Sequence, residues 1–149
     1  MNCKKIMAIT EQVQKTPAQA AREAHWKAFN ERFRDDVKGF VEASRSYMPV
    51  PPLTEEEKAR LTPDDLVGVA RVQTQYGETI IVGEIITELF GGPVEEMYYL
   101  CRHHRHNQQI ENWEALTADL ARQFKETTGF SVEEVSAAIY KKRQEVDPS

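Results

Sequence analysis

Apolar residues recur three or four positions apart along most of the chain, the spacing of a helix that buries one face. Ala18, Ala21, His25, Ala28, Phe29, Phe33, Val37, Phe40 and Val41 form one such stripe. Thr16-Pro17 ahead of it supplies an N-cap and a first-turn proline. One long helix from Thr16 to about Ser46 is predicted, with Gly39 marking a bend and Trp26 beside the stripe. A helix of that length must pack along most of a small domain or against a second copy of itself.

Residues 48–53, MPVPPL, cannot continue a helix, because their prolines remove amide donors and fix extended backbone. They predict a stiff connector inside one domain. Thr54 with Glu57 forms a capping box for a short helix ending near Leu61. Thr62-Pro63-Asp64-Asp65 repeats the start signal, with Leu66, Val69, Ala70, Gln73 and Tyr76 on one face and Gly77 as the stop. Ile81, Val82, Ile85, Ile86 and Leu89 then cluster at helical spacing opposite Glu84 and Glu88, predicting a buried helix from Thr79 to Phe90. The rival is a β-hairpin pairing Val69–Gln75 with Thr79–Val82. Its β-branched content permits it, but Gln73 and Gln75 face the same way as Val69 and Arg71 and spoil the alternation. The helical pattern fits better.

Gly91 and Gly92 suit a helix end, and Pro93 suits the first turn of the next helix. Glu95 and Glu96 near its start and Arg102 and Arg105 near its end complement the helix dipole. Val94, Met97, Tyr98 and Cys101 make its apolar stripe, and Tyr99, His103 and His106 its neighbouring polar face. The following stripe, Ile110, Trp113, Leu116, Leu120 and Phe124, is out of phase with the first. A break between Arg105 and Gln109 with Asn107 as a new cap is therefore expected. Gly129 closes that helix. Ser131 with Glu134 opens the last one, with Val132, Val135, Ala138 and Ile139 inward and Lys141-Lys142-Arg143 toward its end. The fold class these signals predict is all-α: one helical bundle of six or seven helices over residues 16–146, behind a flexible tail at 1–15.

Composition narrows the class without naming a function. At 149 residues, 40% hydrophobic and 29% charged, the chain has the profile of a soluble globular domain. A net charge of −5 weighs against broad binding to DNA or anionic membranes. Cys3 and Cys101 make neither a disulfide framework nor a zinc signature, and a cytoplasmic setting is expected. No apolar run has the length of a membrane span, so no membrane partner is expected.

Unusual side chains concentrate in one place, Tyr99, Arg102, His103, His104, Arg105 and His106. His103 and His106 are helical neighbours able to share a proton, an anion or a metal. They are two ligands where a tight site needs three or four, and no H-E-x-x-H motif accompanies them, so no metal is expected. The chain has neither a cofactor loop nor phosphate-cradling glycines, and no cofactor is expected. His25, on an apolar stripe, is expected in the core or at an interface. The pattern best suits a noncatalytic interaction or regulatory module of inhibitor or adaptor type. Its partner-binding residues are Tyr99, Arg102, His103, Arg105, His106 and Trp26, its partner is another protein, and homodimers are expected. Trp113, Tyr47 and Tyr98 are counted with them as surplus aromatic anchors. Two alternatives stand beside it. One is a nucleic-acid-binding regulator using residues 102–106; the other is a small enzyme with His103 and His106 as acid–base or metal-binding groups.

Overall fold

The computed structural model describes residues 15–103 and 112–147. These are mostly helical, with seven α-helices, one 3₁₀ turn and a two-stranded antiparallel sheet. Residues 1–14 of the tail expected at 1–15, Arg105, His106, and the break with its Asn107 cap lie outside the described residues.

The long N-terminal helix is two helices, α1 (Pro17–Arg32) and α2 (Val37–Ser44). α1 opens on the expected cap, with the Thr16 hydroxyl accepting from Gln19 N–H at 3.1 Å. The break falls at Phe33–Asp36 and not at Gly39. Asp36 Oδ1 accepts from Gly39 N–H at 2.9 Å and so starts a new helix where the apolar stripe implied continuity. Gly39 has no Cβ to obstruct that carboxylate.

The connector contains a cis Val50–Pro51 peptide and buries Leu53. α3 (Glu55–Arg60) carries the expected capping box, Thr54 Oγ1 accepting from Glu57 N–H at 3.1 Å while Glu57 Oε1 accepts from Thr54 N–H at 3.0 Å.

The largest departure from the sequence pattern follows. Thr62-Pro63 opens only a 3₁₀ turn, Pro63–Leu66, and the next stretch is a hairpin of β1 (Val67–Thr74) and β2 (Gly77–Glu84). Thr74 pairs with Gly77 and Val67 with Glu84, and Gly77 has φ +115°, a conformation glycine adopts readily. The chain is therefore not all-α. The poor alternation has a plain cause: only the base of the hairpin rests on the body. Val69 and Val82, a cross-strand pair, pack on the core there, while residues 70–76 are all exposed. Arg71 and Gln73 share a face with Val69 but lie beyond the core's reach. Of the supposed helical stripe, Val82 and Ile86 are buried, whereas Ile81 is 53% exposed.

α4 (Ile86–Phe90) and α5 (Gly92–Arg102) follow, separated by Gly91 at φ +104°. α6 (Trp113–Thr128) and α7 (Val132–Val146) complete the described chain. Val94, Tyr98 and Cys101 of α5 and Val132, Val135, Ala138 and Ile139 of α7 are buried on the expected faces. With Leu53, Leu66, Val82, Ile86, Phe90 and Phe124 they form the core, each large side chain contributing about 1.5–3 kcal/mol on burial.

Candidate interaction surface

The α1–α2 pair forms an arm held to the body at two places. One is Arg22, the single buried residue of α1. Its guanidinium pairs with Glu57 and reaches the carbonyls of Pro51 and Pro52 at 3.4 Å each. The other is the α4–α5 junction, where Gly92 N–H donates to Tyr47 O at 2.7 Å. A Cβ on Gly92 would collide with Ser44 O and meet the Arg45 carbonyl at 2.8 Å, so only glycine permits this approach.

Between these anchors the arm's aromatic rings pack on one another. Trp26 stacks on Phe29 with centroids 5.1 Å apart and meets the Tyr47 ring edge at 4.5 Å. Phe29 also contacts Phe33 at 5.0 Å and Phe40 at 5.6 Å. Only Tyr47 of this group is buried; Trp26, Phe29, Phe33 and Phe40 are half-buried, and α2 has no buried residue. Val37 and Val41 are 75% and 45% exposed. His25 is exposed on the same arm, its ring 5.6 Å from Tyr47, and not in the core.

The structure divides the expected site. Tyr99, Arg102 and His103 lie together at the end of α5, and Trp26 lies on the arm among other rings. Tyr99 and His103 stack with centroids 6.0 Å apart. Arg102 lies over the Tyr98 ring and donates to its hydroxyl at 3.3 Å. Three of the aromatic residues expected as surface anchors are core residues instead: Tyr47, Tyr98 and Trp113 are 5%, 0% and 5% exposed. Tyr98 and Trp113 lie on apolar stripes that carried them inward, because a buried ring removes more apolar surface from water than an exposed one.

What surrounds Tyr99 is acidic, a feature that sequence reasoning missed. Its hydroxyl donates to Glu84 Oε2 at 3.0 Å. Glu84 at the end of β2 lies close enough to act on Glu95 in the first turn of α5, and Glu88 of α4 on both Glu95 and Tyr47. Burial, then the charges of Glu84 and Glu88, push the Glu95 carboxyl up to about 7. Burial raises Glu88, with Glu84 adding to the shift. Burial and the charge of Glu84 push the Tyr99 phenol up as well. In the sequence, Glu95 reads as a dipole-complementing helix start and Glu84 and Glu88 as a solvated helix face. Their convergence from three elements has no local signal.

Val41, Ser44 and Arg45 of the arm face Gly92, Glu95, Glu96 and Tyr99 of α5 across an open cleft of ≈ 280 Å³. A half-buried carboxyl on its wall can hold or release a proton near neutrality. Among the described residues no three His, Cys, Asp or Glu side chains are grouped to hold a metal ion. Among those residues, no helix is long and apolar enough to cross a membrane. No known protein family, curated protein or solved structure matches the chain.

Proposed function

We propose that the protein is a noncatalytic interaction module of regulatory type that pairs with a second copy of itself through the α1–α2 arm. The supporting observation is the arm's aromatic sheaf, Trp26, Phe29, Phe33 and Phe40, left half-buried with Val37 and Val41 exposed beside it. Aromatic side chains supply large contact area at low entropic cost and are favoured anchors of protein interfaces. Charge favours a second copy as the occupant. Residues 15–46 carry seven Lys and Arg against five Asp and Glu, whereas residues 47–149 carry ten against eighteen. A basic arm presented to an acidic body is self-complementary between copies, and opposite surface charge speeds and orients docking.

The acidic surroundings of Tyr99 weigh against the nucleic-acid reading, since phosphate contact needs unopposed cations. Arg143 is engaged with Val82 O at 3.3 Å and Lys142 with Glu145 at 3.3 Å, so the basic run on α7 adds little.

Light scattering at micromolar concentration tests the proposal. A particle of twice 17.1 kDa is expected, reverting to 17.1 kDa in the Val37→Asp/Val41→Asp variant. A wild-type chain that stays monomeric at high concentration overturns it.

A further inference from the structure

The β2 strand has a free edge with a groove beside it. Ile85 N–H donates to Leu66 O at 2.8 Å, so bonded and non-bonded pairs alternate along the hairpin from there. By that alternation Gly83, Ile81 and Thr79 turn their amides and carbonyls to β1, whereas Val82, Ile80 and Glu78 turn theirs away. Val82 O is accordingly met from outside, by Arg143 Nη2 at 3.3 Å. Past that contact, Ile80 and Glu78 border an open groove of ≈ 660 Å³ between β2 and the end of α7. We propose that residues 4–10, KKIMAIT, dock along this edge as a third strand of their own chain's sheet.

Groove and segment match in pattern, charge and tether. Ile80, Val82 and Val146 line the groove, while Ile81, on the opposite face of β2, is 53% exposed. A strand added here meets apolar neighbours on both faces, and strands covered on both faces read as unbroken apolar runs. Ile6-Met7-Ala8-Ile9 is such a run, whereas an alternating strand would set polar side chains beside Ile81 or Ile80. Glu78 and Asp147 stand on the groove near the C-terminal end of α7, whose dipole adds negative potential. Lys4 and Lys5 bring the opposite charge. Glu78 is half exposed and pairs with Arg71 at 3.0 Å, and Arg143, the groove's own cation, is engaged with Val82 O. Residues 1–14 extended span up to about 46 Å, and a domain of this size is about 40 Å across. The tether also gives the segment an effective concentration on the order of millimolar, ahead of a free partner. Docked, it covers an edge that otherwise offers itself to strands of other chains. The docking lies within one chain and does not require the pairing of arms.

Amide hydrogen exchange of the full chain, read residue by residue by NMR, tests the docking. The Glu78 and Ile80 amides face away from β1, so an added strand is what protects them. Both should exchange at least about tenfold slower than in Met7→Pro/Ala8→Pro, as docking for about nine tenths of the time requires. Two successive prolines remove whichever amide faces β2 and so undo the ladder. Thr79 and Ile81, bonded to β1, should keep their protection in both chains and show the hairpin intact. A nitroxide on Cys3 needs no substitution, since Cys101 is buried, and it should broaden the Glu78 and Ile80 amide signals. Fast exchange at Glu78 and Ile80, protection that survives the prolines, or absence of broadening overturns the docking. So does broadening of nitrogen-15 chains by nitroxide-bearing chains mixed with them, which means that the strand comes from a second copy.

Discussion

Arg22 of α1 and Glu57 of α3 meet as a two-pronged ion pair. Arg22 Nη1 lies 3.2 Å from Glu57 Oε1, Nη2 contacts Oε2, and Arg22 is only 4% exposed. The same guanidinium also binds the carbonyls of Pro51 and Pro52, so one side chain ties the arm, the connector and α3 together. Glu57 serves twice, since it is also the capping-box residue of α3.

Arg22→Ala leaves a mostly buried carboxylate and two carbonyls without their donor. Removing one partner of a buried pair costs about 3 kcal/mol, visible as a lower midpoint in urea. Arg22→Lys should recover little of this, because an ammonium cannot make two parallel contacts and reach the carbonyls as well. An unchanged midpoint in Arg22→Ala shows that the arm is not held here.

Signals confined to a few residues were legible in the sequence, and signals that depend on distant elements were not. The caps at Thr16, Thr54 and Ser131 and the inward faces of α5 and α7 stand where local spacing put them. The hairpin was hidden because β1 leaves the body after Val69 and β2 rejoins it only at Ile80, so residues 70–76 carry no inside–outside alternation. Asp36 interrupts the long helix with a side-chain bond that competes with the stripe on equal terms. The site was half legible. Tyr99 and His103 do share a polar face, but Glu84 and Glu95 beside Tyr99 come from β2 and α5, with Glu88 of α4 acting on Glu95, and only the fold brings them together.

Two tyrosines should respond oppositely to loss of the hydroxyl. Tyr47 Oη is buried with no hydrogen-bond partner among the described residues. Tyr98 Oη is bonded to Ser136 Oγ at 3.0 Å and to Arg102 at 3.3 Å. Tyr47→Phe should be neutral or stabilising by up to about 1 kcal/mol, and Tyr98→Phe should cost about 1 kcal/mol. Urea denaturation of the two variants decides it; a destabilised Tyr47→Phe reveals a partner for that hydroxyl.

Two glycines should differ in the same way. Gly92→Ala drives a methyl group into Ser44 O and should cost about 1–3 kcal/mol. Gly83→Ala meets nothing within 4 Å and should stay within about 0.5 kcal/mol of wild type. Thermal denaturation compares them, and equal melting temperatures contradict the close approach of the arm to α5.

Stability should fall away on two sides of a mildly acidic optimum, for opposite reasons. Arg22 holds the Glu57 carboxyl down at about 2, against an ordinary value of 4.5. That stabilisation is fully present above 4.5 and is lost as pH falls toward 2. Glu95 has the opposite sign. Burial raises it from 4.5 to about 7, so the folded state favours its proton; this stability is complete below 4.5 and is lost as pH rises through 7. The neutral limb is on the order of 2 kcal/mol after allowing for solvent screening of a partly exposed group. Glu95→Gln should flatten it and leave the acid limb intact. Glu57→Gln should weaken the acid limb and lower stability at every pH above 4.5. Urea midpoints measured from pH 3 to 9 separate the two. If Glu95→Gln leaves the loss above neutrality unchanged, other groups cause it and Glu95 does not govern stability there.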